Sequence, residues 1–525
     1  MKQKQHKHPA TILILIVFLS TIAGCNKFLD VEPQGKLTEE EALSDPNAAT
    51  NLVAGVYNSL YYGGFGKTTV GFLYALSLDV ASDDTDKGST PTDFAQLGEI
   101  DNFTHTPNNF IFDNIWNGYY SGITAANRAV DILSESTFDE GTKNRLLAET
   151  RFLRGLYYFN LVRYFGGVPM LIRVPDPSEA NNDEFQTRAS REEIYQVIID
   201  DFQFGVDNLP LKGETPAGRA TKGAAQSFLA KVYMYQNNWA KVFELTNDVI
   251  MSQKYDLVEN YNYIFRQNPG PSGNTRSDDD GGNNNIESIF EVQTGINVGE
   301  NAVSPLYSNG QGPRSSGGWN DLGFGLNTPT VSLVNAYGLN DMRRNASVIF
   351  VQPTIAPGSP LNRGTILWDG FRIPTQDSVV NERYNYKAYH SFIAESAPLS
   401  GNKDNKPKNI RLMRYAEVLL MYAEAAANLN NPSEATAKLK LVRDRAGLIL
   451  SPLPGTIQNI WNERRLELAM EQDRFFDLVR QGRAGTVLRA HGKNFVDGKN
   501  EVFPIPQNQR DLSGGRLEQN PNYPQ

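Results

Sequence analysis

Few residues of this 525-residue chain have the type and spacing of an enzyme active site. Outside the first ten residues, histidine occurs only at His105, His390 and His491, which are far apart and lack the spacing of metal ligands. No G-x-S-x-G motif is present. The segment Tyr61–Thr68 (YYGGFGKT) approaches a phosphate-binding loop, but Tyr61 replaces its first glycine and a helical pattern precedes it, where a strand is needed. These features predict neither nucleotide binding nor histidine-ligated metal chemistry.

Acidic residues leave two further chemical possibilities. Ser277–Asn283 (SDDDGGN) offers oxygen ligands for calcium but lacks the alternating spacing of a calcium loop, which favours a solvated loop. Two carboxylates could hydrolyse a glycosidic bond, although no motif marks such a pair. We therefore predict no cofactor and no metal site, and we keep a carboxylate-based hydrolase as an alternative.

Cys25 is the single cysteine of the chain, and its surroundings predict lipid attachment. A basic start is followed by the apolar run Thr11–Ile22, which is too short to span a bilayer. The run ends in Ile22–Cys25 (IAGC), where small residues precede the cysteine as signal peptidase cleavage requires, and this segment is similar to the lipobox of bacterial lipoproteins. Acylation of Cys25 would anchor the mature protein to a membrane and would exclude thiol catalysis.

The chain is acidic overall. It has 50 basic residues against 59 acidic ones, and removal of the three lysines of the signal segment leaves 47 basic residues and a net charge near −12. Such a surface repels nucleic acid and anionic lipid, so we expect no nucleic-acid partner and a preference for neutral ligands. Hydrophobic residues make up 40% of the chain, which is enough for a sizeable core.

Apolar residues at three- and four-residue spacing predict helices in several parts of the chain. Thr221 is a typical N-cap, and Gly166–Pro169 is a typical helix end. Helix–turn–helix units of about 34 residues resemble tetratricopeptide repeats, which stack into a superhelix because one unit cannot bury both faces. The predicted helices are 48–60, 115–133, 146–164, 193–209, 222–235, 239–252, 413–429 and 432–446.

Two long stretches lack this helical pattern. Lys254–Lys408 is rich in Gly, Asn, Ser and Pro and contains short β-type runs such as Ser288–Val292. The stretch Tyr61–Asn109 has the same character. A compact domain rarely carries so much irregular chain without a functional reason, so we expect a binding surface in these loops.

Seven segments of the chain form a recognisable ordered set. They are Phe28–Pro33, Arg151–Phe159 with Gly166–Pro169, Gly218–Ala225, Asp341–Arg344, Arg414–Ala425, Glu463–Leu468 with Arg474–Arg480, and Phe503–Pro506 with Gln519–Tyr523. The set resembles the SusD/RagB-type nutrient-binding outer-membrane lipoproteins of Bacteroidetes.

The resemblance implies a helical scaffold of four tetratricopeptide-like units with a loop-rich capping region. It also implies a surface lipoprotein that closes over a SusC-like TonB-dependent transporter and binds oligosaccharides, or peptides in some members. The first acidic residue after Cys25 is Asp30, so outer-leaflet placement follows from the resemblance and not from this segment.

Most residues of the matched segments are expected to be structural. Arg151 and Arg154 are predicted partners of helix carboxylates, and the charges of Glu463–Arg465 and Asp473-Arg474 are predicted to form ion pairs between helices. Trp116, Trp239 and Trp461 lie in or at the start of helical patterns and are predicted to belong to the core.

Sugar recognition needs exposed aromatic faces for the C–H groups of a pyranose ring and polar side chains for its hydroxyls. Trp319 lies in the loop Gly312–Asp321, so we interpret it as a ligand platform or a transporter contact. Tyr307, Phe324 and Trp368 are weaker candidates by the same criterion. The predicted ligand-binding residues are Trp319, Asn320, Arg314, Tyr307, Phe324, Trp368, Tyr74 and Asp79.

The sequence therefore predicts a mostly α-helical, tetratricopeptide-like (SusD-like) protein. We expect a signal peptide at 1–24 and one domain at 25–525, with the scaffold at about 40–253 and 409–480 and the insertion at about 254–408. The predicted function is non-catalytic binding of a nutrient oligosaccharide at the cell surface and its delivery to a TonB-dependent outer-membrane transporter. A peptide-binding member of the same family, the hydrolytic lipoprotein and a protein-interaction scaffold are the alternatives.

Overall fold

The computed structural model describes residues 39–270, 281–294, 306–397 and 404–524. The predicted signal peptide 1–24 and the lipid attachment site Cys25 lie outside these residues, as do positions 277–280 of the candidate calcium loop. Within the described ranges, no helix is both long enough and apolar enough to span a bilayer.

The scaffold is built from helices on either side of the insertion, and this confirms the predicted fold class. Before the insertion the helices are α1 Glu39–Ser44, α2 Pro46–Asn58, α3 Phe72–Val80, α4 Ala95–Asp101, α5 Phe110–Ser134, α6 Glu140–Phe165, α7 Asp183–Gln186, α8 Arg191–Asn208, α9 Lys222–Tyr235 and α10 Trp239–Met251. Within the insertion they are α11 Tyr307–Gln311, α12 Val331–Ala336 and α13 Arg343–Ser347. After it they are α14 Tyr415–Asn428, α15 Pro432–Arg445, α16 Ile457–Glu467, α17 Arg474–Arg480, α18 Ala484–Ala490 and α19 Gln507–Leu512.

The ends of the long helices follow local sequence signals. The Thr221 side chain accepts a hydrogen bond from the backbone N–H three residues later and so caps α9. Asn431 caps α15 in the same way, and Pro432 occupies the first turn, where no N–H donor is required. Helix α6 ends at Gly166, whose φ of 74° lies in the left-handed region that favours glycine. These boundaries agree closely with those predicted from the sequence.

The long helices pack as a continuous series. Helices α5, α6, α8, α9 and α10 each contact the next, and α10 then packs on α14, which in turn contacts α15 and α16. The series therefore continues across the insertion, as expected for stacked helical repeats. Its main core contains the fully buried aromatic residues Phe152, Tyr157, Tyr158 and Phe159 of α6, while Trp116 is buried and Trp239 is partly buried against the same core.

The strands are short and form four antiparallel pairs. Those pairs are β1 Thr85–Gly88 with β3 Leu326–Pro329, β2 Ser288–Val292 with β8 Ile410–Arg414, β4 Val348–Phe350 with β7 Arg383–Asn385, and β5 Thr365–Ile366 with β6 Arg372–Ile373. The predicted run Ser288–Val292 is thus a strand. Met413 was predicted to begin a helix but lies in β8, because its pairing with Phe290 holds the backbone extended and delays the helix to Tyr415.

A buried network of ion pairs holds the insertion against the scaffold. Arg343 of α13 is fully buried and contacts Glu463 at 2.7 Å and Glu467 at 3.0 Å, both on α16. Arg414 contacts Glu467 at 2.5 Å and Glu287 at 2.7 Å. Because an unpaired charge is costly in a protein interior, the two parts of the chain must keep this relative position.

Other predicted ion pairs are also present between helices. Arg151 and Arg154 of α6 both bond to Asp201 of α8, each at 2.8 Å. Arg464 bonds to Asp477 of α17 at 3.0 Å, whereas Arg465 bonds at 2.7 Å to Asp84, which lies in the loop between α3 and β1. The charges of these matched segments are therefore structural, as predicted.

Candidate functional site

The two irregular stretches of the sequence meet in space. Strand β1 comes from the first stretch and pairs with β3 of the insertion, with Asp86 opposite Thr328. Beyond the strands, the backbone N–H of Ser89 donates to the carbonyl of Gly325 at 2.7 Å. The loops that the sequence marks as functional thus form one surface, although helices α5 to α10 separate them along the chain.

A cavity of about 300 Å³ opens where these loops meet, and we call it the Phe324 cavity. Its aromatic lining residues are Phe65, Phe94 and Phe324, and its polar lining residues are Asp93, Asn309, Arg314, Asp321 and Asp404.

The aromatic side of the Phe324 cavity is a cluster of phenylalanine rings. The Phe65 side chain is 53% exposed, and its ring lies 5.7 Å from that of Phe94 and 6.4 Å from that of Phe324, centroid to centroid. Phe72 of α3 is buried behind these rings, 4.9 Å from Phe65 and 6.1 Å from Phe324. The buried ring supports the exposed ring of Phe65 and the half-buried ring of Phe324, so the aromatic wall is pre-formed.

The polar side of the cavity is organised around Arg314 and Asp93. The Arg314 guanidinium donates to the Asp93 carboxylate and to the Ser89 hydroxyl, the latter at 2.7 Å. Hydrogen bonds from Thr90 and Ser89, together with Arg314, hold the pKa of Asp93 at about 2. Asp93 is therefore ionised at neutral pH and can only accept hydrogen bonds.

Asn309 places an amide at the base of the same cavity. The residue is 2% exposed, and its Nδ2 has no hydrogen-bond partner among the described residues. Burial of an unpaired donor costs free energy, but this amide is covered by protein, so we assign it to the support of the cavity and not to the ligand contacts.

Backbone geometry brings the loops close enough to form the cavity. A Cβ added to Gly323 would lie 2.2 Å from the Asn309 carbonyl oxygen, and one added to Gly312 would lie 2.3 Å from that of Leu322. Only glycine permits such close approach. Phe94 has a φ of 48° and a ψ of 58°, a left-handed conformation that costs roughly 1 kcal/mol for a non-glycine residue. Its ring packs in the cluster, 5.7 Å from Phe65 and 5.8 Å from Phe72, centroid to centroid.

Comparison with known proteins identifies the family. A profile described as the SusD family matches residues 286–523, and a profile described as starch-binding associating with outer membrane matches residues 27–234. The chain belongs to the SusD/RagB family. The second description associates the family with the outer membrane.

Individual relatives of this SusD-family chain are similar over most of their length. A SusD-like protein of Bacteroides ovatus is 25% identical over 499 residues, 89% of this chain and 82% of that protein. SusD-like protein P2 of Formosa agariphila is 26% identical over 543 residues, 97% of this chain and 99% of that protein. Among solved structures, a laminarin binding SusD-like protein superposes with a TM-score of 0.73 at 28% identity, covering 91% of this chain and 99% of the other.

Two of the predicted binding residues of this SusD-family chain meet at the Phe324 cavity. Arg314 and Phe324 both line it, with Phe324 on the aromatic wall and Arg314 on the polar side. Their role in binding stays a prediction, now with a defined geometry.

Three other predicted residues lie in the interior. Tyr74, Asp79 and Tyr307 are 5%, 2% and 7% exposed. Asp79 accepts hydrogen bonds from Asn327 Nδ2 at 2.8 Å and from the backbone N–H of Gln472 at 3.0 Å. Because these side chains are covered by protein, they are not available to stack on or bond to a surface ligand. We leave them out of the candidate site and assign them to the support beneath it.

Trp319 and Asn320 lie outside the residues that line the Phe324 cavity. Trp319 is half-buried against a small core cluster of the insertion, and its indole N–H donates to the carbonyl of Ser378 at 2.7 Å. Asn320 beside it is exposed. The loop places both at the surface, but as a separate feature from the cavity.

Trp368 lines a second cavity, of about 270 Å³, which we call the Trp368 cavity. The guanidinium carbon of Arg266, another lining residue, lies 4.1 Å from the centroid of the Trp368 ring. This cavity belongs to the insertion and does not share lining residues with the Phe324 cavity.

Several residues of the Phe324 cavity were not predicted from the sequence. Phe65 follows the glycines of Tyr61–Thr68, a segment considered only as a phosphate-binding loop. A large aromatic residue in an irregular stretch was the available signal, because Trp319 was selected for its place in a loop. The other lining residues that were not predicted are Asp93, Phe94, Asn309, Asp321, Gly323, Leu326 and Asp404.

Proposed function

We propose that this chain binds an oligosaccharide in the Phe324 cavity at the cell surface and passes it on without chemical change. The observation that carries the proposal is the combination, in one cavity, of one exposed and two half-buried phenylalanine rings with ionic side chains. The rings offer flat apolar faces to sugar C–H groups, while the polar groups match ring hydroxyls.

The polar groups supply both kinds of hydrogen-bonding partner that a hydroxyl needs. Asp93 is an acceptor, and Arg314 is a donor held in place by Asp93 and Ser89. Since Arg314 is already bonded, it can orient a ligand without a large loss of side-chain freedom. This arrangement of aromatic rings and polar groups favours a ligand that presents both apolar C–H faces and hydroxyl groups.

Relatives support a glycan as the ligand class. The laminarin binding SusD-like protein has 28% sequence identity and nearly full mutual coverage, so laminarin oligosaccharides are the first ligands to test. Stacking on each ring would contribute on the order of 1 kcal/mol. The resulting micromolar-to-millimolar affinity would permit release.

The protonation state of one cavity carboxylate, Asp93, bears on the hydrolytic alternative. A glycosidase needs one carboxylic acid whose pKa is raised so that it can protonate the leaving group. Asp93 is instead held ionised, with a pKa of about 2, by its hydrogen bonds and by Arg314. It is therefore unsuited to the role of general acid at neutral pH.

The remaining parts of the proposal concern location and partner. We propose that Cys25 carries the lipid anchor at the outer membrane and that a SusC-like TonB-dependent transporter receives the ligand. The family's association with the outer membrane and the sequence around Cys25 support this placement. The folded chain would then present its loops to the transporter opening.

The experiment is a binding screen combined with a turnover assay. Mature protein is titrated with neutral oligosaccharides, laminarihexaose among them, and with peptides of similar size, while new reducing ends are measured in the same samples. We expect saturable glycan binding without turnover. Reducing ends above background that disappear on substitution of one cavity carboxylate would establish the hydrolytic alternative, and selective peptide binding would establish the peptide-binding one.

A further inference from the structure

The Trp368 cavity has a charge character that differs from that of the chain as a whole. The described residues that line it include two cationic side chains, Arg266 and Lys408, and no carboxylate. The whole chain carries a net charge of −9. A local concentration of positive charge on such a protein suggests a specific use.

Arg266 is held in a fixed orientation by two aromatic rings. Its guanidinium carbon lies 4.4 Å from the ring centroid of Tyr263 and 4.1 Å from that of Trp368. Stacking of this kind leaves the edge of the guanidinium, which carries the N–H donors, free to point elsewhere.

Those donors are not used within the described part of the protein. Arg266 forms no ion pair with a described residue, and its Nε is buried without a hydrogen-bond partner there. An arginine that is fixed in orientation but has no anionic partner is arranged to receive one.

The carboxylates that act electrostatically on Arg266 are occupied by other groups. Asp369 accepts hydrogen bonds from the hydroxyls of Tyr389 at 2.6 Å and Ser391 at 2.5 Å. Glu395 accepts from the backbone N–H groups of Gln267 at 2.5 Å and Ser391 at 2.8 Å. Neither carboxylate forms an ion pair or a hydrogen bond with Arg266, so the guanidinium is not neutralised by direct contact.

Lys408 adds positive potential behind the cavity. Its ammonium donates to the carbonyl oxygens of Phe265 and Tyr389, the latter at 2.7 Å. Burial lowers the pKa of Lys408 to about 8, despite the opposing effect of Glu395. An anion in the cavity would stabilise the charged forms of both Lys408 and Arg266.

The remaining residues that line the Trp368 cavity indicate what kind of molecule would carry the anionic group. Trp368 is half-buried, so part of its indole is accessible from the cavity, and its backbone N–H donates to the Tyr386 hydroxyl at 2.7 Å. Asn262 contributes an exposed amide at the rim. An aromatic surface next to hydroxyl and amide groups is the lining that suits a sugar ring.

We infer that the Trp368 cavity is a second ligand site, which binds the carboxylate or sulfate group of an acidic sugar through Arg266. This site is separate from the Phe324 cavity, so it does not depend on the function proposed there. It would allow the protein to hold a charged branch or a charged polymer in addition to a neutral one.

The test uses two acidic probes, each with a neutral counterpart. Tetragalacturonate is compared with its methyl ester, and a sulfated galacto-oligosaccharide with its desulfated form, by isothermal titration calorimetry at low and high salt. The variants are Arg266→Gln, which removes the charge, Arg266→Lys, which keeps it, and Phe324→Ala, which alters only the other cavity. Thermal unfolding of each variant verifies that it is folded.

We expect at least one acidic probe to bind, with affinity reduced by salt and weakened roughly tenfold or more in Arg266→Gln. Arg266→Lys should bind more strongly than Arg266→Gln but more weakly than the wild type, because it keeps the charge and loses the stacked guanidinium edge, and Phe324→Ala should retain all of the binding. The probe that binds identifies the anion as carboxylate or sulfate. The inference is overturned if neither acidic probe binds, if neutral and acidic forms bind equally, or if Phe324→Ala and not Arg266→Gln removes the binding. Failure of neutral glycans to bind would count against the Phe324 cavity alone.

Discussion

The rings of Phe65 and Phe324 lie 6.4 Å apart, although one belongs to the first irregular stretch of the chain and the other to the insertion. The candidate site therefore exists only when the insertion is docked on the scaffold. Three features maintain that docking: the β1–β3 pairing, the bonds from Arg314 to the first stretch, and the buried ion pairs of Arg343 and Arg414.

Replacement of Gly323 by alanine should damage the site through the backbone. The new Cβ would lie 2.2 Å from the Asn309 carbonyl oxygen, so the loop carrying Phe324 must shift. We expect a loss of roughly 1–3 kcal/mol in the free energy of unfolding and weaker glycan binding. Gly66→Ala is the matched control, because nothing lies within 4 Å of its Cβ. Equal urea-unfolding midpoints and affinities for the two variants would contradict the proposed loop packing.

Replacement of Arg343 by methionine should be strongly destabilising. Arg343 is fully buried and neutralises Glu463 and Glu467, so its loss leaves buried carboxylates with too few partners. We expect a decrease of about 3–5 kcal/mol in the free energy of unfolding. Arg173→Met is the control, because its pair with Glu179 is exposed and should contribute far less. Chemical denaturation followed by circular dichroism measures both, and similar losses would contradict the importance of the buried network.

Asp79 should make the stability depend on pH. Burial raises the pKa of Asp79 to about 7, and the negative charge of nearby Asp84 also raises it. The hydrogen bonds from Asn327 and Gln472 act in the opposite direction and lower it. In the unfolded chain its pKa is about 4. Because the folded-state pKa is the higher one, the contribution to stability is full below pH 4 and is lost as the pH rises through 7, by about 1.4 kcal/mol for each pH unit between the two pKa values.

The Asp79→Asn variant isolates this effect. Its free energy of unfolding, relative to the wild type, should increase between pH 5 and pH 8, since asparagine carries no charge to bury. Urea denaturation at several pH values gives the difference. A difference that does not change with pH would show that Asp79 titrates in the folded protein as it does in the unfolded chain.

Trp319 provides a test of how far the glycan site extends. Its indole is half-buried and bonds to the Ser378 carbonyl, away from the residues that line the Phe324 cavity. We expect Trp319→Ala to lower the melting temperature while changing the affinity for neutral glycans by less than about twofold. The Trp319→Phe variant keeps an aromatic ring but removes the indole N–H, so it separates the effect of the ring from that of the hydrogen bond to Ser378. An affinity loss as large as that of Phe324→Ala would extend the site to Trp319.

The scaffold could be predicted because its signals are local. Helix α9 begins after Thr221 and α15 begins at Pro432, and in both cases the cap and the apolar spacing lie within one helical turn of the boundary. The delayed start of α14 was missed because it depends on pairing of Met413 with a strand more than one hundred residues away.

The site could be predicted only in part, for the same reason. Arg314 and Phe324 were selected from the composition of their own loop, but their partners Asp93 and Phe65 come from another segment. Asp79 was selected from its loop context, whereas tertiary packing buries it. Exposure and long-range proximity are properties of the folded chain, and neither is encoded in local spacing.

The most direct test measures neutral-glycan affinity when the two facing rings are removed. The tightest ligand of the neutral panel, laminarihexaose included, is titrated by calorimetry into the wild type, Phe65→Ala, Phe324→Ala, the double variant, and Trp368→Ala as a control from the other cavity. Each single variant should bind about fivefold more weakly, corresponding to about 1 kcal/mol per ring, the double variant more weakly still, and Trp368→Ala as well as the wild type. A double variant that binds with wild-type affinity would contradict glycan capture in the Phe324 cavity.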